Sequence, residues 1–338
     1  MAGKKRLGLI IDTDHFIKDF IPEMKKRFDV RIYNPPQLTG NVASGKDIQR
    51  LVVGHARDLR KIDQMQKWAD VVFYEWASRL LVKGSKKKKR CRMMTRLHRY
   101  EVYYYIDKVD WSKIDEVIFV CKAMERKFLQ HENVKKDFTG RTRVIWNYLD
   151  LSDFRFSDHA TTHQIGLLAI AQPRKRLYSL VLAHHMALEK HPELVLRLAG
   201  KPADEEYLDS IRMLINKLDM EESVKLDGYV DDLQEWYQKL DIIVSNSTHE
   251  STNITLFEGA ACGAYPISHI WDGVEELLPE ENLFTDAEDY VRLVDEFYSL
   301  SEEDRLRKRK EMGEIVSERF RDKKMIKELV DEIEKESK

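Results

Sequence analysis

Short apolar runs alternate with stretches of helical periodicity along the whole chain of 338 residues. This alternation is typical of parallel sheets covered on both faces by helices, and it predicts an α/β fold. Helices such as Phe16–Phe28 are predicted between the strands. Six strands are predicted in the first half: Leu7–Ile11, Val30–Tyr33, Asp70–Tyr74, Met93–Leu97, Glu116–Val120 and Val144–Trp146. The second half repeats the scheme with six more: Gly166–Ala171, Leu194–Ala199, Val224–Leu226, Ile242–Ser245, Tyr265–Ser268 and Asn282–Phe284.

The pattern therefore predicts two doubly wound, Rossmann-like domains that follow one another in the sequence. The segment WNYLDLSDFRFSDHATTH carries Asn, Asp and Ser without periodicity, so the boundary is expected near Asp150 to His163. We expect domains at residues 1–150 and 151–315, facing across a cleft where a ligand binds at the carboxyl ends of the strands. Residues 316–338 are predicted to form a charged helix, which is either solvated or packed back on the N-terminal domain.

Composition limits the classes of partner. The 57 Lys and Arg nearly balance the 59 Asp and Glu, so the net charge of −2 gives no general attraction to nucleic acid. The spacing of Cys91, Cys121 and Cys262 matches neither a metal site nor a disulfide framework, and free thiols fit a reducing compartment. No apolar run approaches the ~18 residues of a membrane span, and the start MAGKKRLGLIID resembles no cleavable signal. A soluble, cytoplasmic protein without a metal centre is expected.

The densest basic run is KGSKKKKRCR, from Lys83 to Arg92. One interpretation is a solvated connection between a helix and the next strand. The other is a patch that contacts anionic lipid at the inner membrane face, where each Lys or Arg contributes about 1 kcal/mol. The run lacks interleaved aromatic residues, so a nucleic-acid partner is not predicted.

The strongest local pattern is SNSTHESTNITLFEGAACGAYPIS, from Ser245 to Ser268. It passes from a buried strand through a polar loop into a helix that is expected to open near Thr252–Asn253. Unpaired N–H groups and the positive end of the helix dipole at such a junction favour a phosphate or diphosphate. Glu250 and Glu258, eight positions apart, carry carboxylates suited to accept hydrogen bonds from sugar or ribose hydroxyls.

This stretch resembles the E-x7-E segment of the retaining glycosyltransferases of family 4, which have the two-domain GT-B fold. VIWNYLDLSDFRF is similar to the family's Pro-Asn-Gly-Val-Asp-x-x-x-Phe, although Trp146 replaces the Pro and Tyr148 the Gly. Three further segments follow the order of the family's C-terminal segments: LRLAGKP, VKLDGYVDDLQEWYQKLDIIVSNS and WDGVEELL. The resemblance covers nearly the whole chain and is weakest over the first 65 residues.

The resemblance implies transfer of a sugar, with retention of configuration, from a UDP- or GDP-sugar donor to a hydroxyl of an unidentified acceptor, with no cofactor required. It implies that residues 1–150 form the acceptor-side domain and residues 151–315 the nucleotide-sugar-binding domain, in which Glu258 holds the ribose and Glu250 contacts the donor sugar. Tyr229 and Val230 would lie beside the base, although Tyr229 could instead be a core aromatic at a strand end. The diphosphate would be lined by the residues after Glu250: Ser251, Thr252, Asn253 and Ile254.

The departing diphosphate needs compensating positive charge, which the family supplies with an Arg and a Lys. In AQPRKRLYSLVLA, Lys175 aligns with the family Lys and Arg176 stands where the family usually has Gly. Ile170 occupies the usual Arg position, so Arg174 is expected to substitute for it; the alternative is a solvated basic loop.

In the first domain, His98 follows a predicted strand and resembles the family histidine that touches the donor sugar, although a single His in such a chain can be purely structural. The family's glycine-rich loop after the first strand is missing, and IIDTDHFIKDF leaves the roles of Asp12, Asp14 and His15 open. Two other functions fit the same fold. One is hydrolysis or 2-epimerisation of a nucleotide sugar, and the other is non-catalytic binding of one.

Overall fold

The computed structural model describes residues 3–36, 45–320 and 323–335, and residues 45–51 only as helix backbone. The chain divides into two compact units. Unit 1 comprises Met1–Tyr148 and Asp322–Lys338, and unit 2 comprises Leu149–Arg321. The divisions fall after residues 148 and 321, whereas the sequence suggested 150 and 315.

Unit 1 is built on a six-stranded parallel sheet with the order β2-β1-β3-β4-β5-β6. Its central strands are buried along their whole length, as expected for a sheet covered on both faces. The strands are β1 (Arg6–Ile11), β2 (Asp29–Tyr33), β3 (Val71–Glu75), β4 (Arg92–Leu97), β5 (Glu116–Phe119) and β6 (Arg141–Val144). The helices are α1 (Ile21–Arg27), α2 (Gly45–Trp68), α3 (Arg79–Ser85), α4 (Arg99–Tyr104), α5 (Lys122–Gln130) and α6 (Glu132–Asp137).

Unit 2 carries a second six-stranded parallel sheet, with the order β12-β11-β10-β7-β8-β9. The strands are β7 (Gln164–Leu168), β8 (Val195–Ala199), β9 (Val224–Gly228), β10 (Ile242–Ser245), β11 (Tyr265–His269) and β12 (Leu283–Phe284). The helices are α7 (Leu177–Ala187), α8 (Glu205–Lys217), α9 (Leu233–Tyr237), α10 (Ile254–Cys262), α11 (Ala287–Tyr298) and α12 (Glu302–Phe320).

The predicted α/β class and the two Rossmann-like sheets are confirmed. Several element bounds were wrong, and two of them have a clear physical reason. The strand predicted at Val144–Trp146 is β6, which lies earlier, at Arg141–Val144, because an edge strand with exposed polar positions has no continuous apolar run. The helix predicted at Phe16–Phe28 begins only at Ile21, where Pro22 occupies the first turn.

The single charged helix predicted at residues 316–338 is instead the end of one helix followed by a second. α12 ends at Phe320, and α13 (Lys324–Glu334) follows Lys323, whose backbone is left-handed at φ 51°. α13 lies in unit 1 and contacts α1. Arg92 donates to the carbonyl oxygens of Ile333 at 3.1 Å and Lys335 at 2.6 Å, which satisfies groups at the carboxyl end of the helix.

Candidate functional site

The loop between β10 and α10 is fixed by its own side chains. α10 begins at Ile254, slightly later than predicted, and Asn253 is its N-cap residue. The Asn253 amide donates to Ser245 Oγ at 2.6 Å, and Thr255 Oγ1 donates to Asn253 Oδ1 at 2.8 Å. Ser251, Thr252 and Ile254 are half-buried. The strand-to-helix junction that the sequence predicts is therefore present, with a rigid entry into the helix.

Two basic side chains contact the same carboxylate oxygen of Glu250. Lys175 Nζ lies 2.6 Å and Arg174 Nη1 2.8 Å from Glu250 Oε1, and Arg174 also donates to the carbonyl oxygen of His249. Burial of the carboxyl opposes its ionisation, but the two cations outweigh that effect and lower the pKa of Glu250. The alternative of a solvated basic loop is wrong for Arg174 and Lys175, whose side chains are only 26% and 15% exposed.

Arg176, which stands where the resembled family usually has Gly, has a left-handed backbone, with φ 52° and ψ 38°. The Asn246 amide donates to its carbonyl oxygen at 2.9 Å. Its guanidinium lies 2.6 Å from His269 Nε2, at the end of β11. Burial, together with the neighbouring Arg176 charge, lowers the pKa of His269, so the neutral imidazole accepts this bond. In the described part of the chain Arg176 forms no ion pair, unlike Arg174 and Lys175.

Glu258 lies on α10 and accepts a 2.8 Å hydrogen bond from the hydroxyl of Tyr237. Burial raises the pKa of Glu258, and the Tyr237 hydroxyl partly offsets the rise by stabilising the ionised form. Tyr237 is completely buried, with Phe154 and Trp236 edge-on to its ring. The second glutamate of the pair is therefore held in a fixed orientation.

Tyr229 and Val230 follow β9, where Gly228 turns the chain with φ 66°. Tyr229 is 63% exposed, so the interpretation as a core aromatic is wrong. Lys201 Nζ lies 4.2 Å from the centre of its ring. A cavity of about 170 Å³ lies beside this turn, lined by residues of the ends of β8 and β9 and of α8 that include Gly200, Pro202, Leu226 and Gly228.

His98 sits in unit 1, directly after β4, and is 3% exposed. Its imidazole stacks against Trp76, with ring centres 4.3 Å apart, and against Phe16 at 4.9 Å. Its Nε2 lies 3.3 Å from Asn147 Oδ1. An amide oxygen can only accept, so Nε2 is the donor of this hydrogen bond. Trp76, directly after β3, has a left-handed backbone with φ 71°.

Asp12 follows β1, where the family has its glycine loop. Arg79 Nη2 lies 3.2 Å from Asp12 Oδ1, and Arg79 and Lys83 each lie 2.7 Å from the buried Asp58. Burial raises the pKa of Asp12 to about 6, although the Arg79 charge opposes the rise. Asp14 and His15 are exposed, and the carbonyl of Asp14 accepts from the amides of residues 17 and 18.

The basic run is only partly on the surface. Lys83 at one end pairs with Asp58, and Arg92 at the other pairs with the buried Glu116 at 2.6 Å. Lys89 pairs with Asp115. A contact with anionic lipid, which stays a prediction, would therefore rest on the exposed residues between the two ends: Lys86, Lys88, Lys89 and Arg90. Within the described ranges, no helix is both long and apolar enough to cross a membrane.

Several residues of this arrangement have no signal in the sequence. Tyr237 and Trp76 are recognised only through their contacts with Glu258 and His98, and Asn147, which stands at the Asn of the inter-domain family segment, is linked to His98 only by the structure. His269 is recognised only through its contact with Arg176, which differs from the glycine usual in the resembled family. Among the residues that the structure describes, no group of three or more His, Cys, Asp or Glu is arranged to hold a metal ion.

Residues 158–319, a little under half of the chain, match the family model of glycosyl transferases group 1, and nearly all of unit 2 lies within them. No curated protein matches the chain. The solved structures give a likeness over the full length. HepE of Anabaena, in complex with UDP and glucose, has a TM-score of 0.74 and 15% identity, covering 98% of this chain and 99% of that one.

Two further solved structures show the same architecture. A glycosyltransferase from Rickettsia africae has a TM-score of 0.67 and 17% identity, with 99% of this chain and 100% of that chain covered. Sucrose-phosphate synthase from Thermosynechococcus elongatus has a TM-score of 0.69 and 14% identity, with 97% and 98% covered. The fold is that of the GT-B glycosyltransferases, and unit 2 is similar to the group 1 glycosyl transferases.

Proposed function

We propose that the chain is a retaining glycosyltransferase that moves a hexosyl group from a nucleoside diphosphate sugar to an acceptor hydroxyl. The observation that carries the proposal is the pairing of Arg174 and Lys175 with Glu250 beside the entry into α10. It gathers two cations, the amides of a helix start and a carboxylate at one point. Diphosphate oxygens take such cations, and sugar hydroxyls donate to such a carboxylate.

The bound donor replaces Glu250 as the partner of the two cations. The diphosphate draws Lys175 and Arg174 to itself, and the freed Glu250 carboxylate accepts from hydroxyls of the donor sugar. Glu258 accepts from the two ribose hydroxyls, and Tyr229 and Val230 flank the base beside the turn at Gly228. HepE has been solved with UDP-glucose and the pneumococcal GtfA with UDP and GlcNAc, which makes a UDP-hexose the first donor to test.

In the proposed reaction the bond between sugar C1 and the diphosphate oxygen breaks, and a bond between C1 and the acceptor oxygen forms on the same face. The acceptor proton passes to the departing diphosphate oxygen. Lys175, Arg174 and the amides at the start of α10 stabilise the charge that develops on that oxygen. Retention of configuration rests on the resemblance to family 4, as does the contact of His98 with the donor sugar.

Donor binding is tested by calorimetric titration of UDP, GDP and their hexose conjugates. Glu258→Ala is expected to weaken donor binding at least tenfold, because a hydrogen bond to a charged group contributes about 1.5–3 kcal/mol. Glu222→Ala is the matched control, since the Glu222 side chain is 99% exposed in the same unit. An unchanged donor dissociation constant in Glu258→Ala would show that Glu258 does not bind the ribose.

The proposed stabilisation of the departing diphosphate by Lys175 and Arg174 is tested by turnover. Lys175→Ala is expected to lower kcat by about 10²–10³, the loss typical when one stabilising group is taken from a developing oxyanion. Normal turnover would mean that Lys175 does not stabilise the departing diphosphate. A parallel incubation without acceptor separates the rival reactions, since rapid and complete conversion of the donor would indicate hydrolysis or 2-epimerisation. Tight donor binding with no product in any incubation would indicate a binding protein.

A further inference from the structure

A polar cavity of about 190 Å³ opens at the amino edge of the unit 1 sheet, where β4, β5 and β6 begin. The polar side chains of this amino-edge cavity come from the segments that enter the three strands: Lys89, Arg92, Ser112, Asp115, Thr139 and Arg141. Ligands of parallel α/β sheets bind at the opposite, carboxyl edge. The amino-edge cavity is therefore separate from the candidate functional site, and its lining calls for an explanation of its own.

Two cations that line the cavity contact one carboxylate oxygen. Arg92 Nη2 lies 2.6 Å and Arg141 Nη2 2.9 Å from Oε2 of the buried Glu116. The Arg92 side chain is 5% exposed, and its Nη1 donates to the carbonyl oxygens of Ile333 and Lys335. The Arg141 side chain is 50% exposed and is free to turn toward a ligand. The cavity thus combines a rigid cation with a movable one.

The carboxylate in the lining already accepts hydrogen bonds on both oxygens. Asp115 Oδ1 accepts from Lys89 Nζ at 2.6 Å, and Asp115 Oδ2 accepts from the amide of Met93 at 2.8 Å. In its contact with Asp115 the Lys89 ammonium uses one of its three N–H donors. The lining therefore suits a ligand that accepts hydrogen bonds better than it suits a cation.

Positive charge is in excess around the cavity. Among the described residues, hydrogen bonds and ion pairs link the lining to four carboxylates and five cations: Asp110, Asp115, Glu116 and Glu332; Lys89, Arg92, Arg141, Arg143 and Lys335. The exposed Lys88 and Arg90, on either side of Lys89, add two further cations. The excess favours an anion with more than one negative charge.

A phosphate monoester has the matching chemistry. It carries a charge of about −1.5 to −2 at pH 7 and three strong acceptor oxygens. A guanidinium group binds two phosphate oxygens through parallel N–H bonds, and an ammonium group adds a compact positive charge. A carboxylate or a phosphodiester carries a single negative charge and would leave more of the excess unbalanced.

We propose that the amino-edge cavity binds a phosphate monoester. Arg141 and Lys89 donate to the ester oxygens through N–H groups that their contacts with Glu116 and Asp115 leave unused, and Arg92 keeps Glu116 paired. Phosphate monoesters occur both as soluble metabolites and as lipid headgroups, and the exposed basic residues beside the cavity suit either source. The site does not depend on the proposed transferase function.

Binding is measured on the full chain by calorimetric titration with inorganic phosphate and glucose 6-phosphate. We expect both to bind, and dimethyl phosphate to bind about tenfold more weakly because it has a single charge. Arg141→Gln is expected to weaken phosphate binding about tenfold through loss of a charged hydrogen-bond donor. Lys89→Gln, at an exposed position that does not contact Glu116, should weaken it similarly and serves if Arg141→Gln does not fold. Absence of phosphate binding to the wild-type chain would overturn the proposal.

The matched control is Arg143→Gln. Arg143 lies two positions further along β6, its side chain is 58% exposed, and it pairs with Glu332 at 3.5 Å without lining the cavity. Since both variants remove one positive charge from the same strand, a general charge effect would weaken binding equally in the two, and that result would overturn the site. Phosphate binding that is lost in Lys175→Ala but kept in Arg141→Gln would place the anion in unit 2 and would also overturn it.

Vesicle flotation identifies the source of the ester. Phosphatidylcholine vesicles with phosphatidic acid, a phosphate monoester, are compared with vesicles of equal surface charge made with phosphatidylglycerol, a phosphodiester. A preference for phosphatidic acid that Arg141→Gln abolishes would support the site with a lipid headgroup as ligand. Binding of soluble phosphate without vesicle binding would support it with a soluble ester. Equal binding to both kinds of vesicle, without binding of soluble phosphate, would show a merely basic surface and overturn the proposal.

Discussion

The hydroxyl of Tyr237 donates a 2.8 Å hydrogen bond to the carboxylate of Glu258 from within the core of unit 2. Because burial raises the pKa of Glu258 and this bond counteracts the rise, Tyr237→Phe should raise that pKa further. A ribose contact needs the ionised carboxylate, so donor binding should weaken as pH falls through the pKa of Glu258, and in the variant the weakening should begin at higher pH.

Donor dissociation constants measured from pH 5 to 8 test this. Loss of the bond is expected to weaken binding roughly two- to tenfold at the acid end, with the two proteins converging at the alkaline end. Parallel pH profiles for wild type and variant would show that Tyr237 does not act through Glu258.

The left-handed backbone of Arg176 is unfavourable for a residue with a Cβ atom. Its positive charge has no ion-pair partner among the described residues. Arg176→Gly should therefore stabilise unit 2 by about 1 kcal/mol, by relief of the left-handed conformation, and should weaken UDP binding about tenfold through loss of a cation. Asp219→Gly is the matched control, because Asp219 has the same φ of 52°. It should gain similar stability and leave UDP binding unchanged. Chemical unfolding and calorimetry give the two readouts, and unaltered UDP affinity in Arg176→Gly would exclude this residue from the anion site.

Asp12 should make stability depend on pH. Its pKa is raised from 3.8 to about 6, so the folded chain holds a proton that the unfolded chain has lost, and stability falls as pH rises between these values. The shift corresponds to about 3 kcal/mol at most. Asp12→Asn should become progressively more stable than wild type from pH 4 to 6, with a constant difference above. Asp14→Asn, on the exposed part of the same loop, should track wild type, and a flat difference for Asp12→Asn would contradict the assignment.

Gly259 allows α10 to lie close against β10. A Cβ at this position would fall 2.9 Å from three side-chain atoms of Ile243, which is too close for any real contact. Gly259→Ala should cost about 1–3 kcal/mol in unfolding free energy, as overpacking usually does. Gly3→Ala, where a Cβ meets nothing within 4 Å, is the control. A urea midpoint equal to that of wild type would mean that the helix shifts without cost.

The sheets were predictable because buried parallel strands such as β3 and β10 are continuous apolar runs, each ended by polar residues. The edge strand β6 was not predictable in this way, because it alternates exposed and half-buried positions, and the prediction placed it too late in the sequence. The candidate donor site could be read from Glu250 and Glu258 because strand, loop and helix lie together in the sequence. That Glu250 engages both Arg174 and Lys175 could not be read, since the partners are some 75 positions apart.

The surroundings of His98 show the same limit. His98 was found because it follows a strand, but Trp76 and Asn147 reach it only through the sheet order, which brings β3, β4 and β6 into one sheet. A left-handed tryptophan has no signature in a sequence. Local patterns thus identified which segments matter, and tertiary contacts decided which side chains work together.

The return of α13 to unit 1 has a consequence for the order in which the protein is made. Unit 2 is complete once residue 321 has been synthesised, whereas unit 1 waits for residues 323–335, which cover α1 and supply the carbonyls that Arg92 holds. The half that is translated first is therefore finished last. Until α13 has been synthesised, α1 and the guanidinium of Arg92 stay exposed to solvent. Because the chain leaves the ribosome amino end first, this is a period in which unit 1 is prone to aggregation.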